Sequence, residues 1–421
     1  MLLGTFRRVV SVRSCSSHHP ARYPFSSFGS ASRCATTGHQ KLSVEQLQRR
    51  FIRLKGFLGK VRWPVITNFQ AFGEQHQLPL LARFSPGVLK EPTLDELAYM
   101  SGFFDGDGCV SPTTHLSGCQ LFLAQSSDHG EALLLFHQVF GGSIMASRRG
   151  IGSQRPVIRW SLYGQAARKA AALLSKASYV KRAQLQIAAG WPSCKIEREK
   201  LAITMSALKR SSHPLHGTGC SWAYVAGFFD ADGHMVISAD GSGIRLVFSQ
   251  KHASILETIR EFLAQEGYFD GIGMDHNFEM SRLGVYGSKL SCKILEHMIA
   301  AGMIVKRSAA EVVLKTSNSN YLRSRVELAG LVGNQGRYRR HGELGCQRAK
   351  TLASLQRKLW YLKSRGRFGE LAPLEDQLLS LKQEHCLRHA EASVSLLRRD
   401  IRLLLRQGAG VTQVSSAYIK C

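Results

Sequence analysis

The order of apolar and polar positions predicts one α+β unit that occurs twice in this chain. Leu97, Met100 and Phe104 have the spacing of one helix face, and a glycine follows them. Alternating segments that predict two strands come next, then a helix and two more strands. A last helix, which runs through a Val-Lys-Arg sequence and beyond, closes the unit. The predicted order is therefore α-β-β-α-β-β-α, at residues 92–192 and again at residues 220–318.

The segments that follow the two units have different patterns. Residues 193–219 contain prolines and glycines and predict a linker. Residues 319–421 carry leucines at a/d spacing, which predicts amphipathic helices interrupted at residues 366–369. Residues 320–410 hold 18 Lys and Arg against 8 acidic residues, so this C-terminal extension is basic. It is either a helical hairpin that caps the fold or a nucleic-acid contact.

One motif occurs twice, with the copies 125 residues apart. Residues 97–110 read LAYMSGFFDGDGCV and residues 222–235 read WAYVAGFFDADGHM. Two further pairs share the same offset, namely Gln125 with Gln250 and Lys181 with Lys306. Three matches at one offset indicate a tandem duplication. The sequence D-x-D-G also begins calcium-binding EF-hand loops, but both copies lack the glycine and glutamate that such loops require.

Net charge narrows the choice of partner. The chain of 421 residues has a formal charge of +26 and a pI of about 10.0, which indicates a polyanionic partner, most often nucleic acid. Ten scattered cysteines without a C-x-x-C pair favour neither a zinc site nor a disulfide framework. No apolar run reaches the roughly 18 residues that a bilayer-spanning helix needs.

Small residues predict that the two motif helices pack against each other. Ala98 and Gly102 lie one turn apart on one helix, and Ala223 and Gly227 repeat this spacing on the other. Faces of small residues let two helices approach more closely than the usual 8–10 Å or so. We expect the carboxyl ends of both helices to come together.

This pairing would place two carboxylates side by side. Asp107 and Asp232 end the two motif helices, where the helix dipoles are negative, and a divalent cation would relieve their repulsion. The peptide carbonyls of Gly106 and Ala231 could add the oxygen ligands that Mg²⁺ prefers. The first aspartates of the two motifs would instead hold the helix ends through local backbone hydrogen bonds.

The duplicated GFFDGDG and GFFDADG sequences resemble the signature motifs of the LAGLIDADG homing endonucleases, over roughly residues 94–315. The resemblance implies a monomer of the two-motif type, whose sheets form a saddle over double-stranded DNA. It implies Asp107 and Asp232 as metal ligands, with Mg²⁺ or Mn²⁺ as the cofactor.

The matched polar residues are further candidates for the catalytic site. Lys181 and Lys306 could hold or deprotonate water and neutralise developing charge. Gln125 and Gln250 end predicted strands and resemble the polar residue that positions water in this family.

Strand alternation assigns DNA contacts to one sheet face. In the first unit, Ile158, Trp160 and Leu162 should face the helices. The opposite side, facing solvent or DNA, then carries five residues, namely Arg155, Arg159 and Ser161 in the first unit and Arg245 and Ser249 in the second. Arginines there could read guanine edges or bind phosphate, or the face could simply be solvated.

We therefore expect a metal-dependent endonuclease that makes double-strand breaks at a long, partly palindromic site. The alternatives are a maturase that binds intron RNA with the same fold, and an inactive relic. Residues 1–40 contain five arginines and no acidic residue, which is typical of a transit peptide for a mitochondrion or chloroplast. Residues 41–91 form a basic leader, in which Phe51 and Leu54 have helical spacing and could dock on the body.

Overall fold

The computed structural model describes residues 42–82, 90–112, 119–210, 220–239, 241–276, 280–333 and 336–411. The expected transit peptide at residues 1–40 lies outside this part of the chain. The N-terminal segment forms one helix and four short strands, namely α1 (Val44–Leu58), β1 (Val61–Arg62), β2 (Asn68–Ala71), β3 (Glu74–Gln77) and β4 (Leu80–Leu81). Ser43 and Gln46 form a capping box that fixes the start of α1.

The described residues of the first repeat form four strands and four helices. Its elements are α2 (Leu94–Asp107), β5 (Cys109–Ser111), β6 (Gln120–Ser126), α3 (Glu131–Phe140), β7 (Ser143–Arg148), β8 (Val157–Leu162), α4 (Gly164–Ala177) and α5 (Arg182–Ala189). The antiparallel sheet has the order β4-β7-β8-β6-β5. The N-terminal segment therefore supplies an edge strand to the first repeat.

The predicted linker contains a helix, α6 (Lys195–Leu208). Met205 of this helix is fully buried in the main core, so hydrophobic burial stabilises a segment whose prolines and glycines predicted irregular structure.

The second repeat has the same order of elements as the first. These are α7 (Trp222–Asp232), β9 (Gly233–Ile237), β10 (Ile244–Gln250), α8 (Ala253–Gln265), β11 (Ile272–His276), β12 (Ser281–Tyr286), α9 (Ser288–Ala300) and α10 (Arg307–Leu314). Its antiparallel sheet has the order β11-β12-β10-β9. The predicted α+β fold is confirmed. The prediction of one closing helix was wrong, because each unit ends in two helices separated by a short irregular segment.

The C-terminal extension is helical, as the leucine spacing predicted. It comprises α11 (Tyr321–Leu331), α12 (Glu343–Ser364), α13 (Leu371–Arg406) and the short strand β13 (Gly410–Val411). Helices α12 and α13 form a hairpin that turns near Gly366, which has a positive φ of 70°. Strand β13 pairs with β1, and Leu58 and Val61 pack on Leu397 of α13. The N-terminal helix thus docks on the extension.

A single hydrophobic core runs through both repeats, with the aromatic residues of α2 and α7 at its centre. None of the described helices is long and apolar enough to cross a membrane.

Candidate nuclease centre at the paired motif helices

The backbones of α2 and α7 touch where two glycines meet the opposite helix. A β-carbon on Gly102 would lie 2.2 Å from the carbonyl oxygen of Tyr224, and one on Gly227 would lie 2.0 Å from that of Tyr99. Any side chain larger than hydrogen would therefore push the two helices apart.

Close contact continues towards the carboxyl ends of the helices. A β-carbon on Gly106 would lie 2.3 Å from the β-carbon of Ala231. One turn before the crossing, Ala223 is buried and Ala98 is half-buried. The tightest packing thus lies at the glycines and beyond them, closer to the helix ends than the pair formed by Ala98 and Ala223.

The first aspartate of each motif anchors a distant segment. Asp105 accepts hydrogen bonds from the backbone N–H groups of Tyr179 (2.7 Å), Val180 (3.0 Å) and Lys181 (2.9 Å). Asp230 likewise accepts from residues 304–306, at 2.8–2.9 Å. The prediction of local bonding was wrong, because the N–H groups lie about 75 residues further along the chain. These irregular segments separate α4 from α5 and α9 from α10, so the buried aspartates explain the breaks.

Asp105 and Asp230 each also accept a hydrogen bond from a tyrosine hydroxyl of the opposite repeat. The Tyr99 hydroxyl donates to Asp230 (2.7 Å), and the Tyr224 hydroxyl donates to Asp105 (2.8 Å). Burial raises the pKa of both tyrosines well above the usual value, and the neighbouring carboxylates raise it further. Sequence reasoning missed these tyrosines, although a tyrosine at the same place in both motif copies was a signal for them.

The two lysines cap the motif helices. The Lys306 ammonium donates to the carbonyl oxygens of Phe229 (2.7 Å), Asp230 (2.6 Å) and Ala231 (3.2 Å). Lys181 makes the equivalent three bonds at the end of α2. Three N–H groups can make three such bonds, so both ammonium groups are fully engaged. This arrangement favours charge neutralisation at the helix ends, and water activation by the lysines stays a prediction.

The second aspartates face each other at the helix ends, and we call Asp107 and Asp232 the carboxylate pair. Asp107 is exposed and Asp232 is half-buried. A β-carbon on Gly106 would lie 3.3 Å from a carboxylate oxygen of Asp232, so this side chain reaches the end of the opposite helix. The Gln125 amide donates to Asp107 (2.6 Å) and the Gln250 amide donates to Asp232 (2.8 Å). The glutamines therefore orient the carboxylates.

Electrostatics at the carboxylate pair favours a bound cation. Desolvation by the surrounding protein and the charge of Asp107 raise the pKa of Asp232 to about 6. Desolvation also raises the pKa of Asp107, against the opposing charges of Lys306 and Lys181. Desolvation lowers the pKa of both lysines, while the nearby aspartates oppose that shift. The ionised form of the pair is therefore disfavoured, and an additional positive charge would favour it.

The donor atoms at this point fit a hard divalent cation. Carboxylate oxygens and peptide carbonyls are the ligands that Mg²⁺ and Mn²⁺ prefer. The carbonyls of Gly106 and Ala231 already accept the lysine ammonium groups at 3.2 Å, which leaves the two carboxylates as the principal ligands. Within the described residues, no group of three or more His, Cys, Asp or Glu side chains could hold a metal.

The open face of the second sheet is basic. Arg245 is exposed on this face, and Ser249 is half-buried beside it. Arg282 pairs directly opposite Ser249 across β10 and β12. These residues line a cavity of about 290 Å³ together with His234, Tyr286 and one acid, Asp275, which lies opposite Arg282 on β11. Sequence reasoning missed Arg282, although the buried neighbours Leu283 and Val285 share the alternation that would have placed it on the open face.

The residues of the first repeat that were predicted to contact DNA are paired, stacked or covered by other side chains. Arg155 lies just before β8 and forms an ion pair with Asp128. Arg159 lies on the open face, with its guanidinium 3.6 Å from the centre of the Phe122 ring. Ser161 is buried, so its expected position towards solvent was wrong. It lies beneath Gln120, whose amide is 3.4 Å from the serine hydroxyl.

A basic cavity of about 540 Å³ opens beside the end of α2. Its cationic lining residues are Lys181, Arg182, Lys209 and Lys251. Lys209 comes from the end of the linker helix and lies 3.7 Å from the Cys109 sulfur. The linker therefore adds positive charge to the cavity beside the end of α2, which sequence reasoning did not anticipate.

The two motif helices are paired, and each ends in an exposed or half-buried carboxylate above an antiparallel sheet. These features define a single-chain, pseudo-twofold protein of the two-motif class. Residues 220–298 match the family model of the LAGLIDADG-like domain. The first repeat carries the same motif at residues 97–110, and the resemblance to the LAGLIDADG family found in the sequence is confirmed.

Solved structures of LAGLIDADG proteins resemble part of this one. The meganuclease I-AabMI bound to uncleaved DNA is 11% identical with a TM-score of 0.40, covering 56% of this chain and 97% of its own. The homing endonuclease I-GzeII in complex with its DNA target is 13% identical with a TM-score of 0.41, covering 56% and 96%. No curated protein matches the sequence significantly.

Proposed function

We propose that this protein is a divalent-metal-dependent DNA endonuclease that breaks both strands of a long, partly palindromic site as a monomer. The observation that carries the proposal is the carboxylate pair: two equivalent aspartates at the ends of helices whose backbones touch, each bound by a glutamine. A binding protein needs no such strained pair of acids. The pseudo-twofold relation of the repeats matches a duplex with two unequal half-sites.

Different residues of the chain would have different roles in phosphodiester hydrolysis. Asp107 and Asp232 would hold Mg²⁺ or Mn²⁺, which when bound supplies an activated water and stabilises charge on the phosphate. Gln125 and Gln250 keep the carboxylates in place for that task. The ammonium groups of Lys181 and Lys306 add fixed positive charge close to the scissile phosphate.

Binding would fall to the open sheet faces and the basic cavity. Arg245 and Arg282 in the second sheet, with Arg159 in the first, are placed for phosphate or base contacts. Arg155 is already paired with Asp128, so we assign it a structural role.

The test needs a substrate, which selection of cleaved sites from a randomised duplex library in Mg²⁺ or Mn²⁺ would supply. On the selected site, Asp107→Asn and Asp232→Asn should each lower the cleavage rate by on the order of 100-fold or more, while DNA affinity stays nearly unchanged. Asp376→Asn, which removes an exposed acid on α13, is the matched control and should cut normally. If no duplex is cut with either metal, or if both variants cut at the wild-type rate, the proposal fails.

We also propose import into a mitochondrion or chloroplast, on the strength of the acid-free, arginine-rich residues 1–40. These residues fused to a fluorescent reporter should direct it to the organelle. A cytosolic or nuclear signal would overturn this proposal and leave the nuclease assignment intact.

A further inference from the structure

The free end of the α12–α13 hairpin exposes aromatic side chains. Leu359 and Leu362 of α12 pack on Leu371 in a small core that is separate from the main core of the repeats. The next side chains on α12 point away from this core. Trp360 is 73% exposed and Tyr361 is 50% exposed, and Phe368 in the turn is 68% exposed. Three exposed aromatics in nine residues form a patch that solvation alone does not explain.

Positive charge surrounds these aromatics. On the helix surface, Arg357 lies one turn from both Trp360 and Tyr361, and Lys358 lies one turn from Tyr361. The Arg365 guanidinium is 5.5 Å from the centre of the Tyr361 ring. Residues 343–370 contain seven Lys and Arg but only two Glu. We call Arg357, Lys358, Trp360, Tyr361 and Arg365 the hairpin patch.

The cations of the hairpin patch are available to a ligand. Lys363 is paired with Glu375 (2.8 Å) and Arg367 with Glu370 (2.7 Å), and both lie outside the patch. Within the described part of the chain, no carboxylate oxygen lies within 4 Å of Arg357, Lys358 or Arg365. A partner must therefore be anionic and must present flat apolar surfaces to the rings.

Unpaired nucleotides combine these two properties. Their phosphates complement the three cations of the patch, and their bases can stack on exposed tryptophan and tyrosine rings. The bases of duplex DNA are stacked within the helix and cannot do this, whereas loops and ends of RNA offer unstacked bases. We propose that the hairpin patch binds single-stranded RNA, a function distinct from duplex cleavage by the carboxylate pair.

The test uses the full-length protein and a short labelled oligo(rU) as the probe. Replacing both aromatics (Trp360→Ala with Tyr361→Ala) should weaken binding by on the order of tenfold or more, since each stacked base contributes substantially to affinity. Phe269→Ala, which removes a 75% exposed aromatic of the second repeat, is the matched control and should bind normally. Melting temperature and duplex cleavage should stay at wild-type values in every variant, because the patch lies outside both cores.

Two further measurements separate this site from other ligands. RNA should quench the fluorescence of the exposed Trp360, and Trp360→Phe should abolish that change while keeping most of the affinity. Arg357→Gln with Lys358→Gln should lower the slope of log affinity against log salt by about 1.4, for two phosphates of a single strand. Unchanged oligo(rU) binding by the aromatic variant, tighter binding of oligo(dT) than of oligo(rU), or binding of anionic lipid vesicles in place of RNA would each overturn the proposal.

Discussion

Replacing Gly227 with alanine tests the packing on which the whole site depends. The new β-carbon would lie 2.0 Å from the Tyr99 carbonyl oxygen, whereas ordinary contact begins near 3.4 Å. The carbonyl oxygen belongs to the backbone and cannot rotate away. Helices α2 and α7 must therefore separate by roughly the difference between these two distances. Overpacking of this kind costs about 1–3 kcal/mol, and we expect a value near the upper limit. The better helix propensity of alanine returns at most about 1 kcal/mol.

We therefore expect Gly227→Ala to lower the free energy of unfolding by about 2 kcal/mol or more, and the melting temperature by about 3 °C or more. Thermal unfolding followed by circular dichroism measures this directly. Gly56→Ala is the matched control, because Gly56 lies in α1 with no atom within 4 Å of its would-be β-carbon. That variant should be as stable as wild type or slightly more stable. A Gly227→Ala protein that melts at the wild-type temperature would refute the backbone contact between the motif helices.

Other predictions concern the hydrogen bonds to the buried aspartates, the open sheet faces and the C-terminal extension. Tyr99→Phe removes the hydroxyl donor of the buried Asp230 and should lower stability in a denaturant titration by about 1.5–3 kcal/mol, whereas Tyr163→Phe, at an exposed ring, should do much less. Arg282→Gln should lower the slope of log DNA affinity against log salt by about 0.9, whereas Arg155→Gln should leave it unchanged; equal slopes for both would contradict the assigned contacts. His341 packs against His385 and His389, and burial, the neighbouring histidines and Arg348 lower the pKa of His341 and His385. The unfolded chain therefore binds more protons, so stability should fall as the pH drops below about 6.5, and replacing both residues with glutamine should flatten this dependence.

The sequence was most informative where the same residue pattern occurs in both repeats. The helical spacing before Gly108 and Gly233 located both motif helices, and the shared offset brought attention to Gln125 and Gln250 at the ends of their strands. Patterns along the chain could not show partners that are distant in sequence. Asp105 holds the backbone of residues 179–181, so a helix that looks continuous by periodicity is broken there.

The same limit explains the other differences. The burial of Met205 makes a helix of the predicted linker, and the pairing of β4 with β7 draws the N-terminal segment into the first sheet. Strand alternation placed Arg159 and Arg245 on the open faces of the sheets, which is where the structure has them. It could not reveal that Asp128 neutralises Arg155, because an ion pair depends on a loop conformation that alternation does not describe.

In each repeat a tyrosine hydroxyl donates a hydrogen bond to the buried aspartate of the other repeat. These reciprocal bonds affect how this chain could have arisen and how it can be divided. An excised half would contain a buried aspartate whose hydroxyl donor was left behind on the other half, and a glycine-lined helix face with nothing to cover it. Each half would thus be incomplete until it met a copy of itself or its counterpart, as expected if the ancestor was a symmetric dimer. Chimaeras that combine halves of different relatives would have to preserve this reciprocal bond, whatever DNA sequence each half recognises.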